Sequence, residues 1–157
     1  MSDVPKLYVL VGVPGSGKST WVANQQWTDN CAFISTDMWV ELEAERVGKT
    51  YTEVFHEYMP KAVQLMTNNV QLARDIDMDI IWDQTSTTVA SRAKKFRMLP
   101  NYYKIAVVFR TPDTETLKRR LDSRPGKVVP YDVVEKMIDQ WEEPTTDEGF
   151  DQIWYAG

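Results

Sequence analysis

The chain has 157 residues, of which 43% are hydrophobic and 26% charged, a composition that fits one globular domain and excludes a disordered or collagen-like chain. Its 18 Lys and Arg residues against 23 Asp and Glu residues give a net charge of −5, which argues against nucleic-acid coating by bulk charge but allows a local basic channel. One cysteine and one histidine exclude an internal disulfide and a zinc site, so we expect oxygen ligands for any bound metal.

Apolar runs alternate with helical patterns along the chain. Lys6 to Val11 is a continuous aliphatic run that ends at Gly12, which is typical of a strand buried on both faces of a parallel sheet. Further strands are expected at 31–35, 80–82, 103–109 and 152–155, and helices at 19–26, 37–46, 52–74, 89–98, 111–124 and 131–141. The alternation predicts an α/β domain with a mostly parallel central sheet.

Prolines mark two of the predicted helices. Pro60 lies inside the third helix, where its missing N–H predicts a kink or a division. Thr111 and Pro112 open the fifth helix, with Thr111 expected as the N-cap and Pro112 at the first helical position.

A glycine-rich motif joins the first strand to the first helix. Residues 12–20 match G-x-x-x-x-G-K-[ST], in which glycines let backbone N–H groups surround a phosphate at a helix N-terminus. Lys18 is expected to reach the β and γ phosphates of ATP, and the Ser19 hydroxyl to bind Mg²⁺. We favour this interpretation over a simple turn and predict a nucleotide-binding loop made by Gly12, Pro14, Gly15, Ser16, Gly17, Lys18, Ser19 and Thr20.

Two aspartates follow strands that we expect to end at the same edge of the sheet. Asp37 comes just after the second strand and Asp83 directly after the third. Phosphoryl transfer to a hydroxyl needs a carboxylate that orients the acceptor and takes its proton, and often another that holds the metal. We predict catalytic roles for both aspartates, with Asp83 also serving the metal, while Asp37 is equally placed to cap the next helix.

The densest basic cluster follows the fourth strand and comprises Lys118, Arg119, Arg120, Arg124 and Lys127. Arg120 and Arg124 are four residues apart and therefore share a helix face. Arginines on a segment that closes over ATP can stabilise the charge on the transferred phosphoryl group, so we predict that both are catalytic. The alternative is a solvated helix end whose cations complement the helix dipole.

Two other groups of residues allow more than one interpretation. The basic residues of the helix 89–98 either follow a phosphate backbone or form an ordinary surface. Trp39 or Trp82 could stack a nucleic-acid base, although most tryptophans pack in the core. We expect the carboxylates from Asp139 to Glu148 to lie on the surface.

No apolar stretch approaches the roughly 20 residues that a membrane helix needs. Met1 to Lys6 also lacks the pattern of a signal peptide. We therefore expect a cytoplasmic protein without a membrane partner.

From Gly12 to about Met137, the chain resembles the kinase half of the phage polynucleotide kinase family. The resemblance is carried by the phosphate loop with Trp21 after it, by the two strand-end aspartates, and by the run from Arg124 to Pro130. It implies an adenylate-kinase-like, three-layer P-loop fold over residues 1–157, with an arginine-bearing lid over about 119–130. It also implies a phage source, and a role in nucleic acid repair.

The same resemblance implies roles for individual residues. Asp37 would be the general base that activates the 5′-hydroxyl of a DNA or RNA end, and Asp83 the second active-site aspartate. Arg120 and Arg124 would be the arginines of the lid. ATP and Mg²⁺ would be the cofactors.

The chain departs from the family at one acceptor-side position, where Val40 stands in place of an arginine. This leaves open a kinase that acts on a nucleoside, a nucleotide, another small metabolite or a hydroxymethylated base in DNA. A nucleotide-binding switch that hydrolyses ATP slowly is a further alternative. Because no D-x-D-G-T segment follows, we expect no phosphatase activity.

Overall fold

A parallel five-stranded sheet forms the centre of the computed structural model, which describes residues 4–27 and 30–156. The strands are β1 (Lys6–Val11), β2 (Cys31–Ile34), β3 (Asp79–Trp82), β4 (Tyr103–Phe109) and β5 (Gln152–Ala156). Their order in the sheet is β2-β3-β1-β4-β5, and every neighbouring pair is parallel. The predicted parallel sheet is confirmed.

Helices connect the strands. They are α1 (Lys18–Asn24), α2 (Thr36–Val47), α3 (Tyr51–Asp75), α4 (Val89–Met98), α5 (Thr114–Asp122) and α6 (Tyr131–Asp139). Within the two described ranges, none of these helices is long and apolar enough to cross a membrane.

Helices cover both faces of the sheet, which gives the expected three layers. On one face, Val9 packs in a cluster with Met66 and Val70 of α3. On the other face, Leu10 belongs to a second cluster that includes Trp21 of α1. Successive residues of a strand point to opposite faces, so a strand covered on both sides must be apolar throughout.

Two expectations about helix boundaries were wrong. The N-cap of α5 is Asp113 rather than Thr111, because the Asp113 carboxylate accepts hydrogen bonds from both the backbone N–H and the hydroxyl of Thr116, each at 2.9 Å. Helix α3 runs through Pro60 as one helix, so the predicted division at Pro60 does not occur. A buried stripe that includes Ala62 and Met66 follows Pro60, and packing of this stripe outweighs the lost hydrogen bond.

The basic helix α4 is partly buried, so it is neither a continuous phosphate-tracking face nor an ordinary surface. Arg92 is fully buried, and its guanidinium pairs with the Glu148 carboxylate at 2.7 Å. It also donates to the carbonyls of Ser86 and Glu142, at 2.9 and 3.0 Å. Arg92 therefore ties the segment after β3 to the chain before β5, and the expectation of a surface position for Glu148 was wrong.

Lys95 is the second buried cation of α4, with 6% exposure. Its ammonium lies 5.2 Å from the ring centre of Trp82, and burial lowers its pKa to about 8. Lys94 and Arg97 remain exposed on the same helix.

Replacing Arg92 with methionine leaves the Glu148 carboxylate buried without its partner. We expect the free energy of unfolding to fall by about 3 kcal/mol or more, measured by urea denaturation. Lys94→Met, on the exposed side of the same helix, is the control, with an expected change within about 0.5 kcal/mol. Equal unfolding midpoints for the two variants would contradict the structural role of Arg92.

Candidate active site

The carboxyl ends of β1, β2 and β3 lie at one edge of the sheet and bring the predicted residues together. The phosphate loop follows β1, Asp37 lies in the first turn of α2, and Asp83 follows β3. Gly12 donates its N–H to the Thr85 carbonyl at 3.0 Å, which joins the loop to the segment after β3. Residues distant in sequence therefore form one site, as expected for parallel strands.

The phosphate loop has a backbone that requires glycine. Gly15 and Gly17 have φ values of +84° and +103°, which side chains disfavour. At Gly12, a Cβ atom would lie 2.5 Å from the Ser16 hydroxyl and 3.0 Å from the Phe109 side chain. The loop thus passes too close to its neighbours for a larger residue.

Two side chains of the loop have polar groups suited to an anion. Among the described residues, the buried Ser16 hydroxyl has no hydrogen-bond partner. The Lys18 ammonium donates to the carbonyls of Gly12 and Val13, at 2.9 and 3.0 Å. Burial lowers the pKa of Lys18 to about 8, with Asp83 opposing the shift and Arg124 adding to it. A phosphate would provide both groups with a charged acceptor.

These donors fit the phosphates of a nucleotide, and the Ser19 hydroxyl and the Asp83 carboxylate are oxygen donors of the kind that Mg²⁺ prefers. No cluster of three or more His, Cys, Asp or Glu side chains suited to a metal occurs in the described part of the chain. Magnesium is commonly bound by one or two protein oxygens together with water and substrate phosphates, so a protein cage is not required. Bound Mg²⁺ would supply charge neutralisation at the phosphates.

Asp37 is held by two side chains from other parts of the fold. The Tyr51 hydroxyl donates to its Oδ1 atom at 2.6 Å, and the Lys127 ammonium lies 3.0 Å from its Oδ2 atom. Burial alone would raise the pKa of the Asp37 carboxyl, but Lys127, Tyr51 and Lys18 together lower it. Ser35 is the N-cap of α2, accepting from Met38 at 3.3 Å, so Asp37 is not the cap.

The pKa of the Asp83 carboxyl is shifted in the opposite direction to that of Asp37. Burial raises its pKa, and the nearby charges of Asp37 and Glu41 add to this effect, although Lys18 and Lys127 oppose it. Two nearby carboxyls with pKa values moved in opposite directions are suited to different roles in one reaction.

The two predicted arginines contribute differently. Arg120 donates from its guanidinium to the carbonyl of Gly15 at 3.1 Å, so it contacts the phosphate loop directly. Arg124 is half-buried, and its guanidinium has no hydrogen bond or ion pair within residues 4–27 and 30–156, while its charge helps to lower the pKa of Lys18. Because Arg124 is near Lys18 and uncommitted, it is available for a ligand.

Sequence reasoning missed Tyr51, since no local pattern links it to Asp37, and it gave Lys127 no specific role. It also left base stacking open for the tryptophans, but Trp82 is 2% exposed and belongs to the core. Trp39 is half-buried against the cores of the sheet and of α2 and α3. Val40 is fully buried in the cluster between α2 and α3, so it faces no acceptor.

Nucleotide binding should take up a proton near and above a pH of about 8, where about half or more of the Lys18 side chains are neutral in the free protein. Phosphate groups favour the charged ammonium and raise its pKa in the complex. Calorimetry in buffers of different ionisation enthalpy measures this uptake. We expect it to vanish in Lys18→Met and to persist in the exposed control Lys94→Met, whereas equal uptake in both variants would contradict the role of Lys18.

Solved structures share this architecture. A chain of the Pnkp1/Rnl/Hen1 RNA repair complex matches with a TM-score of 0.69 and 24% identity, over 89% of this chain and 45% of that chain. A proposed kinase from Chloroflexus aurantiacus matches with a TM-score of 0.71 and 14% identity, over 98% of this chain and 88% of that chain. Shikimate kinase from Bacteroides thetaiotaomicron matches with a TM-score of 0.55 and 18% identity, over 96% of this chain and 86% of that chain.

These likenesses show an α/β P-loop kinase fold, which confirms the predicted fold class. This chain spans less than half the length of the RNA repair protein that it matches. A family model described as an AAA domain matches residues 7–144, which is most of the chain. The chain therefore belongs to the AAA domain family.

Proposed function

We propose that this chain is an ATP- and Mg²⁺-dependent kinase that phosphorylates a hydroxyl group, with the 5′-hydroxyl of a DNA or RNA end as its acceptor. The observation that carries the proposal is the placement of the Asp37 carboxylate beside a phosphate loop. The positive charge of Lys18 lowers the pKa of the Asp37 carboxyl and so helps to keep it ionised. A hydrolytic switch needs no carboxylate for an acceptor hydroxyl at this position, so the site favours a kinase over a switch.

The proposed reaction assigns one task to each group. The loop amides and Lys18 hold the phosphates of ATP, and Ser19 and Asp83 provide oxygen atoms for Mg²⁺. Asp37 accepts the proton of the acceptor hydroxyl as the acceptor oxygen bonds to the γ-phosphorus. The bond from that phosphorus to the bridging oxygen breaks, and ADP leaves with the electron pair.

The arginines would stabilise the charge that spreads over the transferred group. Arg120 already contacts the phosphate loop at the Gly15 carbonyl. Arg124 is uncommitted within the described ranges and lies near Lys18. We therefore propose that residues 119–130 form a lid, here named the candidate lid, on a single kinase domain over residues 1–157.

The site residues support a nucleic-acid end as the acceptor. The phosphate loop, Asp37, Asp83 and Arg124 follow the order seen in the phage polynucleotide kinase family. The fold also matches a protein from an RNA repair complex. At this identity the match supports the fold, and the acceptor rests on the site residues.

A small acceptor is the second candidate, favoured by Val40. This side chain is buried between α2 and α3 and cannot bind an acceptor phosphate as an arginine would. The net charge of −5 also suits a small molecule better than a polyanion. Shikimate kinase has the same fold, and its name refers to a small molecule.

Replacing Asp37 with asparagine should reduce phosphoryl transfer by at least about a hundredfold, because the base is lost, while ATP binding remains. The assay uses γ-labelled ATP and Mg²⁺ with a 5′-hydroxyl oligonucleotide, its 5′-phosphorylated twin, and a panel of nucleosides and small hydroxy acids. The control is Asp139→Asn, at the exposed end of α6.

The acceptor that receives label decides between the candidates. Asp37-dependent label on the hydroxyl oligonucleotide alone supports an end kinase. Label on small acceptors only moves the function to the second candidate. Label on both oligonucleotides contradicts an end kinase and indicates transfer to an internal hydroxyl, such as that of a hydroxymethylated base. ATP binding without transfer to any acceptor contradicts the kinase.

Replacing Arg124 with alanine should lower kcat about a hundredfold and change the KM for ATP little, because the guanidinium acts on charge that grows in the transition state. Arg97→Ala is the matched control, since Arg97 is an exposed arginine of α4 that lies outside the candidate lid. Steady-state kinetics of both variants test this, and a rise in KM at unchanged kcat would count against the candidate lid.

A further inference from the structure

Two side chains from separate parts of the fold meet at the candidate base, Asp37. Tyr51, the first residue of α3, donates its hydroxyl to Asp37 Oδ1 at 2.6 Å. Lys127 of the candidate lid lies 3.0 Å from Asp37 Oδ2 and 4.3 Å from the ring centre of Tyr51. Tyr51 thus contacts both the base and the cation that pairs with it.

The backbone around Tyr51 is held on both sides. Thr50 caps α3 in a reciprocal pair, with the Thr50 hydroxyl accepting from the Glu53 N–H and the Glu53 carboxylate accepting from the Thr50 N–H. Thr52 donates its N–H to the Gly126 carbonyl at 3.2 Å, and its hydroxyl accepts from Val128 at 2.8 Å. The start of α3 is therefore fixed relative to the candidate lid.

We propose that Tyr51 is a positioning residue for Asp37, holding the carboxylate in one rotamer and linking its orientation to the candidate lid. The inference rests on the proposed function, because it gives Asp37 the role of base. With one donor on each oxygen, the carboxylate cannot rotate freely. A carboxylate has about four lone-pair sites, so it retains capacity for an acceptor hydroxyl.

Several charges act on Asp37 besides these contacts. Lys18 of the phosphate loop lies near enough to lower its pKa, while Asp83 and Glu41 place negative charge nearby. Glu41 lies 3.7 Å from the Lys127 ammonium and competes for it. Arg124 adds positive charge near the Tyr51 hydroxyl. Removing the Tyr51 hydroxyl therefore removes one of several interactions that set the pKa of Asp37.

Tyr51 keeps its proton throughout the pH range of an assay. Burial, together with the hydrogen bond to Asp37 and the Asp37 charge, raises the pKa of its phenol far above the usual range. It therefore donates to Asp37 at any pH at which the protein is studied. A variation of activity with pH then reports on Asp37 and its other neighbours.

The test is Tyr51→Phe, which removes the hydroxyl and keeps the ring under Lys127. We expect kcat to fall about tenfold, the loss of one hydrogen bond to a charged group, with the KM for ATP unchanged. The carboxylate is active when ionised, and the lost bond raises its pKa, so the acid limb of the kcat/KM profile moves to higher pH. Tyr58→Phe, on the same helix, is the control and should behave as the wild type.

A second readout does not need catalysis. Carbon-13 NMR of the aspartate carboxyl carbons follows the titration of Asp37 in the free protein, with its signal assigned by its loss in Asp37→Asn. We expect a higher pKa of Asp37 in Tyr51→Phe and an unchanged one in Tyr58→Phe. Lys127→Met, which removes the other partner, should raise it as well.

The outcomes separate the inference from the proposed function. Transfer that depends on Asp37 but is unchanged in Tyr51→Phe, or a shift of the Asp37 titration in Lys127→Met alone, overturns the role of Tyr51 and leaves the kinase standing. Absence of transfer to every acceptor by the wild-type protein overturns the kinase instead. The NMR titration then still decides whether Tyr51 holds the Asp37 carboxylate.

Discussion

The parallel alignment of three neighbouring strands is the constraint on which the candidate site depends. Trp82 at the end of β3 lies opposite Val9 of β1 and Ile34 of β2, so these strands end at nearly the same level. Whatever follows each strand must therefore meet the others. The phosphate loop, Asp37 and Asp83 converge for this reason, although α3 and most of α2 lie between Asp37 and Asp83 in the chain.

Electrostatic balance then gives the converging groups different properties. Lys18 is buried and would lose its charge more easily than an ordinary lysine, yet the nearby carboxylates favour its charged form. Asp37 has two direct donors and stays ionised, while Asp83 has a raised pKa because burial outweighs the cations near it. A site with cations and carboxylates in this arrangement can bind a polyanion on one side and take a proton on the other.

Polar contacts between distant segments hold the two sides of this site in place. Arg92 ties the segment after Asp83 to the chain that precedes β5. On the other side, the hydrogen bonds of Thr52 join the candidate lid to α3. These contacts connect the candidate site to elements far from it in sequence. Mutations of Arg92 or Thr52 can therefore alter the site although neither residue touches a ligand.

The sequence by itself determined the strands, most helix positions and the phosphate loop, because these follow from local patterns such as apolar runs and glycine spacing. It also placed Asp37 and Asp83 correctly at strand ends. It predicted Thr111 as the cap of α5, whereas the structure has Asp113, because threonine and aspartate both fit the local rule for an N-cap. Only the tertiary structure decided the partners of Asp37 and the burial of Arg92, because Tyr51 and Lys127 lie 14 and 90 residues from Asp37, and Glu148 lies 56 from Arg92.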